Sequence, residues 1–217
     1  QFLTAGLLLV DKREFEPGAL ALREVLKKYE AAPDDITPAR QSGEQRALLA
    51  LGKASHALGR PTDAADALQR LVDKYPKSAF FFEARFLLGR AYKEIGKNDQ
   101  AMGVLRDVFQ RATNQEWIAR STIELAALQE ASQDVTGALA SYQRIVLVGQ
   151  ADDPAIRPMY RAALHHSARL FRDLGKWGEV VENCDRFTAA FPTGEGVEEI
   201  RRWRAEAILK LSTGGAL

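Results

Sequence analysis

The stretch "KYPKSAFFFEARFLLGRAYKEIGKNDQA", Lys74 to Ala101, decides the fold. A Tyr-Pro turn leads into three phenylalanines, then into apolar residues at helical spacing, and Gly96 separates these from a second such run. Within it, the small residue Gly89 stands twelve positions before the small residue Ala101. The same interval separates Gly52 from Ala64, Ala126 from Ala138, Ala168 from Val180 and Gly6 from Gly18. Four residues after the second member of each pair comes a larger apolar side chain: Leu22, Leu68, Leu105, Tyr142 and Cys184. Ala64, Ala101 and Ala138 are 37 residues apart, with wider intervals on either side. Repeats of this length are the mark of a solenoid, in which each unit covers the apolar face of its neighbour.

Each unit reads as two helices. "ALLALGKASHALG" and "RFLLGRAYKEIG" carry apolar residues at i, i+3, i+4 and i+7. Gly59, Gly96 and Gly175 stand where the first helix ends and a left-handed residue is needed. Pro17 and Pro61 suit the first turn of the second helix, and Asn98 and Asp134 suit its N-cap. Ser78 suits the cap of the helix after the phenylalanines. The spacing predicts eleven helices, near residues 2–13, 17–31, 43–58, 61–75, 79–96, 98–112, 115–132, 134–148, 155–175, 177–191 and 196–213. The one β-branched run, Ile145 to Gly149, ends a segment of helical period. The expected architecture is all-α. It is a right-handed superhelical solenoid over residues 1–217, with units near 1–33, 43–77, 79–113, 115–150 and 155–193. A closing helix at 196–213 is expected as a solvated cap, carrying Glu199, Arg201, Arg202, Arg204 and Lys210.

The composition excludes several classes of function. A net charge of +1 gives no electrostatic reason to expect nucleic acid or a lipid surface. One cysteine allows neither an internal disulfide framework nor a thiolate metal cluster. The longest apolar run, Phe2 to Val10, is too short to span a bilayer. The chain begins at Gln1 rather than Met, and reads as a processed or excised piece. No zinc-protease helix, nucleophile elbow or phosphate loop occurs. His165 and His166 are adjacent and point about 100° apart on a helix, so they do not grip one metal. Asp152-Asp153-Pro154 reads as a turn, and Gly194 to Gly196 as a loop. No cofactor, metal or catalytic residue is expected. Cys184, Trp177, Tyr92 and Phe171 read as packing. Of Phe80, Phe81 and Phe82, one or two are expected in the core and the remainder on a functional surface.

These residues resemble the tetratricopeptide repeat family. Leu88-Gly89, Tyr92, Gly96, Ala101 and Leu105 match its pattern, as do Leu51-Gly52, Gly59, Ala64, Leu68 and Pro76. Ala168, Phe171, Gly175, Trp177 and Pro192 match it in the fifth unit. Units one and four match weakly, with Gly18 at the small position in one; Val180 takes that position in the fifth. The resemblance implies that first helices line a concave groove that binds a peptide or partner helix. The implied groove residues are Arg46, Leu49, Lys53 and His56, then Glu83, Phe86, Arg90 and Lys93. They continue through Arg120, Ile123 and Glu130 to Ala162, His165, Arg169 and Arg172. Most of the charged ones are basic, which suits an acidic or carboxylate-bearing segment, with Leu49, Phe86 and Ile123 as an apolar floor. Asn is missing from these positions, so a chaperone-type carboxylate clamp is not expected.

"YPKSAFFFEARFLLGRAYKEIGKNDQA" is also similar to the repeat joint of bacterial cell-envelope members. Those include the Tol-Pal-associated periplasmic protein and the outer-membrane assembly lipoprotein. The leading reading is therefore a non-enzymatic protein-binding scaffold in a bacterial envelope, in the periplasm rather than the cytoplasm. A second reading is an accessory or oligomerisation domain of a longer enzyme or envelope protein. RNA binding is a third, opposed by the net charge and the lack of a repeated base-reading set. The apolar first helix, Phe2 to Val10, lacks a preceding repeat and is expected to pair two copies or to pack against a neighbouring segment.

Overall fold

Helix pairs closed by the same turn build the chain. The structure, a computed structural model, describes residues 1–34, 37–148 and 152–214. Its helices are α1 (Phe2–Asp11), α2 (Phe15–Glu30), α3 (Pro38–Ala57), α4 (Pro61–Lys74), α5 (Phe81–Glu94) and α6 (Asn98–Arg111). They continue as α7 (Gln115–Ala131), α8 (Val135–Val148), α9 (Arg157–Asp173), α10 (Trp177–Ala190) and α11 (Val197–Gly214). Among the described residues there is no strand. The end of the fourth expected unit, at 149–150, lies outside them, as does Gly149 of the β-branched run.

The turn inside each pair is stereotyped. The residue after it donates its N–H five residues back: Glu14 to Leu9, Arg60 to Ser55, Lys97 to Tyr92, Asp134 to Gln129 and Lys176 to Phe171, all at 2.8–2.9 Å. This closure needs one left-handed residue. Gly59, Gly96 and Gly175 supply it, with φ of 68°, 83° and 69°. In the first and fourth pairs Arg13 and Gln133 take the same conformation, each at φ 64°. The missing glycine is what weakens those units as sequence patterns, although the turn is intact. Left-handed geometry costs a non-glycine residue about 1–2 kcal/mol, and glycine's extra unfolded-state freedom returns about 0.5–1 kcal/mol of that. Gln133→Gly is therefore expected to raise stability by roughly 0.5 kcal/mol, read as a small rise in denaturant midpoint. A fall would mean that Gln133 makes a contact worth more than the strain.

The small-residue rule describes the packing within a pair. A Cβ added to Gly52 would lie 2.6 Å from Leu68 Cγ, one on Gly89 2.7 Å from Leu105 Cγ, and one on Gly6 3.0 Å from Leu22. The larger residue of each unit thus sits on the small one sixteen positions before it. Leu22, Leu68, Leu105, Tyr142 and Cys184 are all 1% exposed or less. Ala64, Ala101, Ala138 and Val180 are fully buried.

The helices gather into two compact units, Gln1–Ala112 and Thr113–Leu217. In the first, each helix packs on the next, and first helices also meet directly, α1 with α3 and α3 with α5. Being covered from several sides, α3 is apolar nearly all round, from Ala47 to Gly52. In the second unit α7 to α11 pack in the same serial way, with α7 on α9 and α9 on α11.

Several local expectations need correction. Helix α3 starts at Pro38, not near 43, because proline suits the first helical position, where no N–H is missed. Asn98 lies inside α6 and makes no capping bond; Lys97 takes the N-cap position. Ser78 accepts a hydrogen bond from the Phe80 N–H in the turn before α5, and Phe80 is the N-cap. Asp134 does cap, accepting from the Gly137 N–H at 2.9 Å. Closing helix α11 is not a uniformly polar cap. Ile208, Leu209 and Leu211 are exposed at its far end, since it packs only on α9 and α10.

Candidate functional site

The turn and the small-residue contact fix which way each first helix points. Gly52 faces α4, so Leu49 and Lys53 are carried round to the side that meets the neighbouring first helices. In the first unit that side holds an open cleft of about 270 Å³. Its walls are Leu7 and Val10 of α1, Leu49 and Ala50 of α3, and Phe80 before α5. Asp11, Arg46 and Lys53 stand at its polar edge. Arg46, Leu49 and Lys53 are three of the residues implied as groove positions, and they converge here. Leu7, Val10 and Phe80 were not among them. The signal for two was available: Leu7 and Val10 follow Gly6 by one and four residues, as Lys53 and His56 follow Gly52. Of the three phenylalanines, Phe81 is core, while Phe80 and Phe82 are half-buried.

The apolar floor divides. Leu49 lines the cleft, Phe86 is buried, and Ile123 is half-buried against the core of the second unit. The charges also differ from a simple basic face. Lys53 pairs with Glu83 of α5 at 2.5 Å, and His56 Nδ1 lies 3.1 Å from Glu94. In the second unit Arg120 pairs with Glu116 on its own helix, Arg169 with Glu130 of α7, and Arg172 with Glu206 of α11 at 2.7 Å. His165 Nε2 lies 3.0 Å from Glu199. These pairs lace successive first helices together, so much of the expected positive charge is neutralised inside each unit. Arg90 and Lys93 are half-buried and exposed respectively. Of the implied groove cations, Arg46 makes no hydrogen bond or ion pair among the described residues.

A second open cavity, of about 380 Å³, lies in the second unit between α9, α11 and the loop before α11. His165, Ala162 and Arg161 line it with Phe187 and Glu199. The Arg161 guanidinium lies over the Phe191 and Phe187 rings, 5.4 and 5.7 Å from their centroids, and donates to the Glu195 carbonyl. Such stacking holds the group in place while leaving other donors available.

Two carboxylates are withdrawn from solvent, Glu44 buried and Glu130 half-buried. Burial alone would raise the Glu44 pKa. Hydrogen bonds from Lys74 and Tyr75, with the charges of Lys74 and Arg40, outweigh it and hold the group below the usual carboxylate range. Burial likewise opposes ionisation of Glu130, and the Tyr142 hydroxyl, Arg169 and His166 overcome it. Burial and the nearby carboxylate push the Tyr142 hydroxyl well above its ordinary value. His166 stacks on Tyr142 at 5.0 Å and is lowered, chiefly by burial, with Glu130 pulling the other way and Arg169 and His165 adding to the lowering. Burial pushes the Cys184 thiol up to about 12, which keeps it an unreactive filler. His165 and His166 face different glutamates. Among the described residues no group of three or more His, Cys, Asp or Glu could hold a metal ion. Among the described residues no helix is long and apolar enough to cross a membrane.

Comparison with known proteins agrees with this geometry. The tetratricopeptide repeat family model matches residues 3–79 and, in a second form, 83–114. No curated protein matches the sequence. Among solved structures, the fold is similar to a kinesin light chain of Podosopora anserina with nearly identical TPR-like repeats. That match is 19% identical over 87% of this chain and 92% of that one, with a TM-score of 0.64. MamA is 22% identical over 91% and 97%, with a TM-score of 0.61. The apo quorum sensor NprR of B. thuringiensis is 13% identical over 97% of this chain and 59% of that one, with a TM-score of 0.66.

Proposed function

The chain belongs to the tetratricopeptide repeat family, and from that premise we propose that it is a non-enzymatic scaffold whose first-helix faces bind a peptide or segment of another protein. One observation carries the reading. The faces carrying the implied groove positions hold open clefts of about 270 and 380 Å³, in which Arg46, Leu49 and Lys53 of the first unit and Ala162 and His165 of the second come together with apolar walls. Most of their walls are helical, which lowers the ordering cost of binding. Because Lys53, Arg169 and Arg172 are paired internally, an acidic partner is recognised through Arg46 and Arg161 rather than through a continuous basic stripe.

The Tyr75-Pro76 to Ala101 joint supports a place in a multiprotein assembly of a bacterial cell envelope, in the periplasm. The N-terminal helix supports a homodimer, since Phe2 is 61% and Leu8 52% exposed. One set of preparations tests these points. Soluble periplasmic extract is passed over the parent chain, over Arg46→Glu with Arg161→Glu, and over Leu147→Glu as a control on an exposed site away from the clefts. The double variant is expected to lose the captured protein with its helicity unchanged; Arg46 is exposed, and an Arg161→Gln version that keeps a donor checks that loss of the Arg161 stacking is not the cause. Equal capture by the double variant removes the cleft reading. Sedimentation of the same samples is expected to give a dimer that Leu8→Glu converts to monomer; a monomeric parent removes the dimer.

A further inference from the structure

We infer that the cleft of the first unit takes one bulky apolar side chain of a partner peptide, with a carboxylate beside it on the Arg46 side. This rests on the cleft reading above and names its ligand. Size comes first. A cavity of about 270 Å³ is at or below the range of small-molecule sites, roughly 300–1,000 Å³, and suits a single large side chain. Its lining comes next. The floor is made of Leu7, Val10, Leu49 and Phe80, and α1 presents aliphatic residues at the offsets where α3 presents Lys53 and His56. Asp11, Arg46 and Lys53 also line it and are exposed, so their charges stay solvated beside a buried apolar anchor.

The rim supplies direction. Arg46 is exposed on α3 and makes no hydrogen bond or ion pair among the described residues. Its planar fork matches a carboxylate through two parallel bonds. Lys53, on the same helix, is held by Glu83 and adds positive potential without being free to swing over the cleft. Asp11 stands on the other wall, at the end of α1, and repels a second acid there. The charge is therefore complementary to a segment with its acid on one side of the anchor only.

The test uses the full chain, labelled with nitrogen-15, and ten-residue Gly-Ser peptides. Each has Leu, Trp or Ser at the centre and Glu, Gln or Lys beside it. The Leu-Glu and Trp-Glu peptides are expected to shift amide signals at Leu7, Ala50 and Phe80. Serine at the centre, or lysine beside it, should weaken binding by roughly tenfold or more. Arg46→Glu should invert the preference, so that the lysine peptide binds better than the glutamate one. Simple loss of fold would abolish both. If Arg46→Glu changes nothing while Arg161→Glu abolishes binding, the cleft reading stands in the second unit and this inference is overturned. If no peptide shifts these signals, it is overturned as well. If the parent's own dimerisation shifts them and Arg46→Glu prevents that, the occupant is a second copy and not a partner peptide.

Discussion

Gly52→Val is expected to lower the stability of the chain by about 3 kcal/mol, at the upper end of the cost of overpacking a core. The Cβ alone would come within 2.6 Å of Leu68 Cγ, and valine adds two methyl groups in the same place. Leu68 is 1% exposed and packed on all sides, so it has nowhere to withdraw. Helix propensity works the other way, because glycine is among the poorest helix formers, but its contribution is below about 1 kcal/mol. Packing wins. The sign can be checked inside the same unit. A Cβ on Gly103, in α6, meets nothing within 4 Å. Gly103→Ala should therefore stabilise by about 0.5–1 kcal/mol, whereas Gly52→Ala should destabilise. Combining Gly52→Ala with Leu68→Ala should cost less than the sum of the two, since one opens the space that the other fills. Denaturant midpoints of the single variants and of the double variant measure these effects. A rise in midpoint for Gly52→Ala, matching that of Gly103→Ala, would show that the helices are not held at this distance by the missing side chain.

Tyr142→Ala should cost about 3–5 kcal/mol, the range for emptying a large aromatic from a core. Tyr142 is 1% exposed, and it also donates to Glu130 at 2.7 Å. Tyr142→Phe keeps the ring and its stacking on His166 while removing the hydroxyl, for about 1–3 kcal/mol from the hydrogen bond left unmade. The cluster gives the second unit a pH signature. His166 has its pKa lowered in the folded chain, so the folded state prefers the neutral imidazole and the unfolded state takes up the proton first. Stability attached to His166 is full above the unfolded value of about 6.5 and falls as pH drops through the window between the unfolded and folded values. Glu130 and Glu44 are lowered in the folded state. Their contributions hold above the unfolded carboxylate value of about 4.3 and are lost at lower pH, through their folded values. Stability should thus decline in two stages on acidification. His166→Phe should remove the first stage and leave the second. A parent chain whose midpoint is flat from about pH 7.5 to about pH 5 would contradict the assignment.

The fold was legible because close packing writes itself into residue size. Gly52, Gly89 and Gly6 must be small since Leu68, Leu105 and Leu22 occupy the space a side chain would need. That demand recurs at a fixed interval, and only a repeated helix pair satisfies it. The first and fourth units were fainter for an equally local reason, since Arg13 and Gln133 make the left-handed turn without the glycine that advertises it. Much less of the candidate site could be read. The family resemblance implied Arg46, Leu49 and Lys53, and the same groove positions extended to α1 would have added Leu7 and Val10. Phe80 belongs to no offset, because it lies in the turn before α5 and reaches the cleft only through the path of the chain.

The sequence by itself determined that the chain is all-helical, that its helices come in pairs, and which residues seal each pair. Those properties depend on neighbours within some sixteen positions, where periodicity and side-chain volume are sufficient. The tertiary structure decided how the charges are used. Lys53, Arg169 and Arg172 look alike in sequence to Arg46, but each finds a glutamate 30 to 39 positions away on another helix, and Arg46 does not. Ion pairing between helices depends on angle and reach at the few-ångström scale, to which a repeat pattern is blind. The distinction between a cation that holds the scaffold together and one left to meet a partner therefore appears only once the helices are packed.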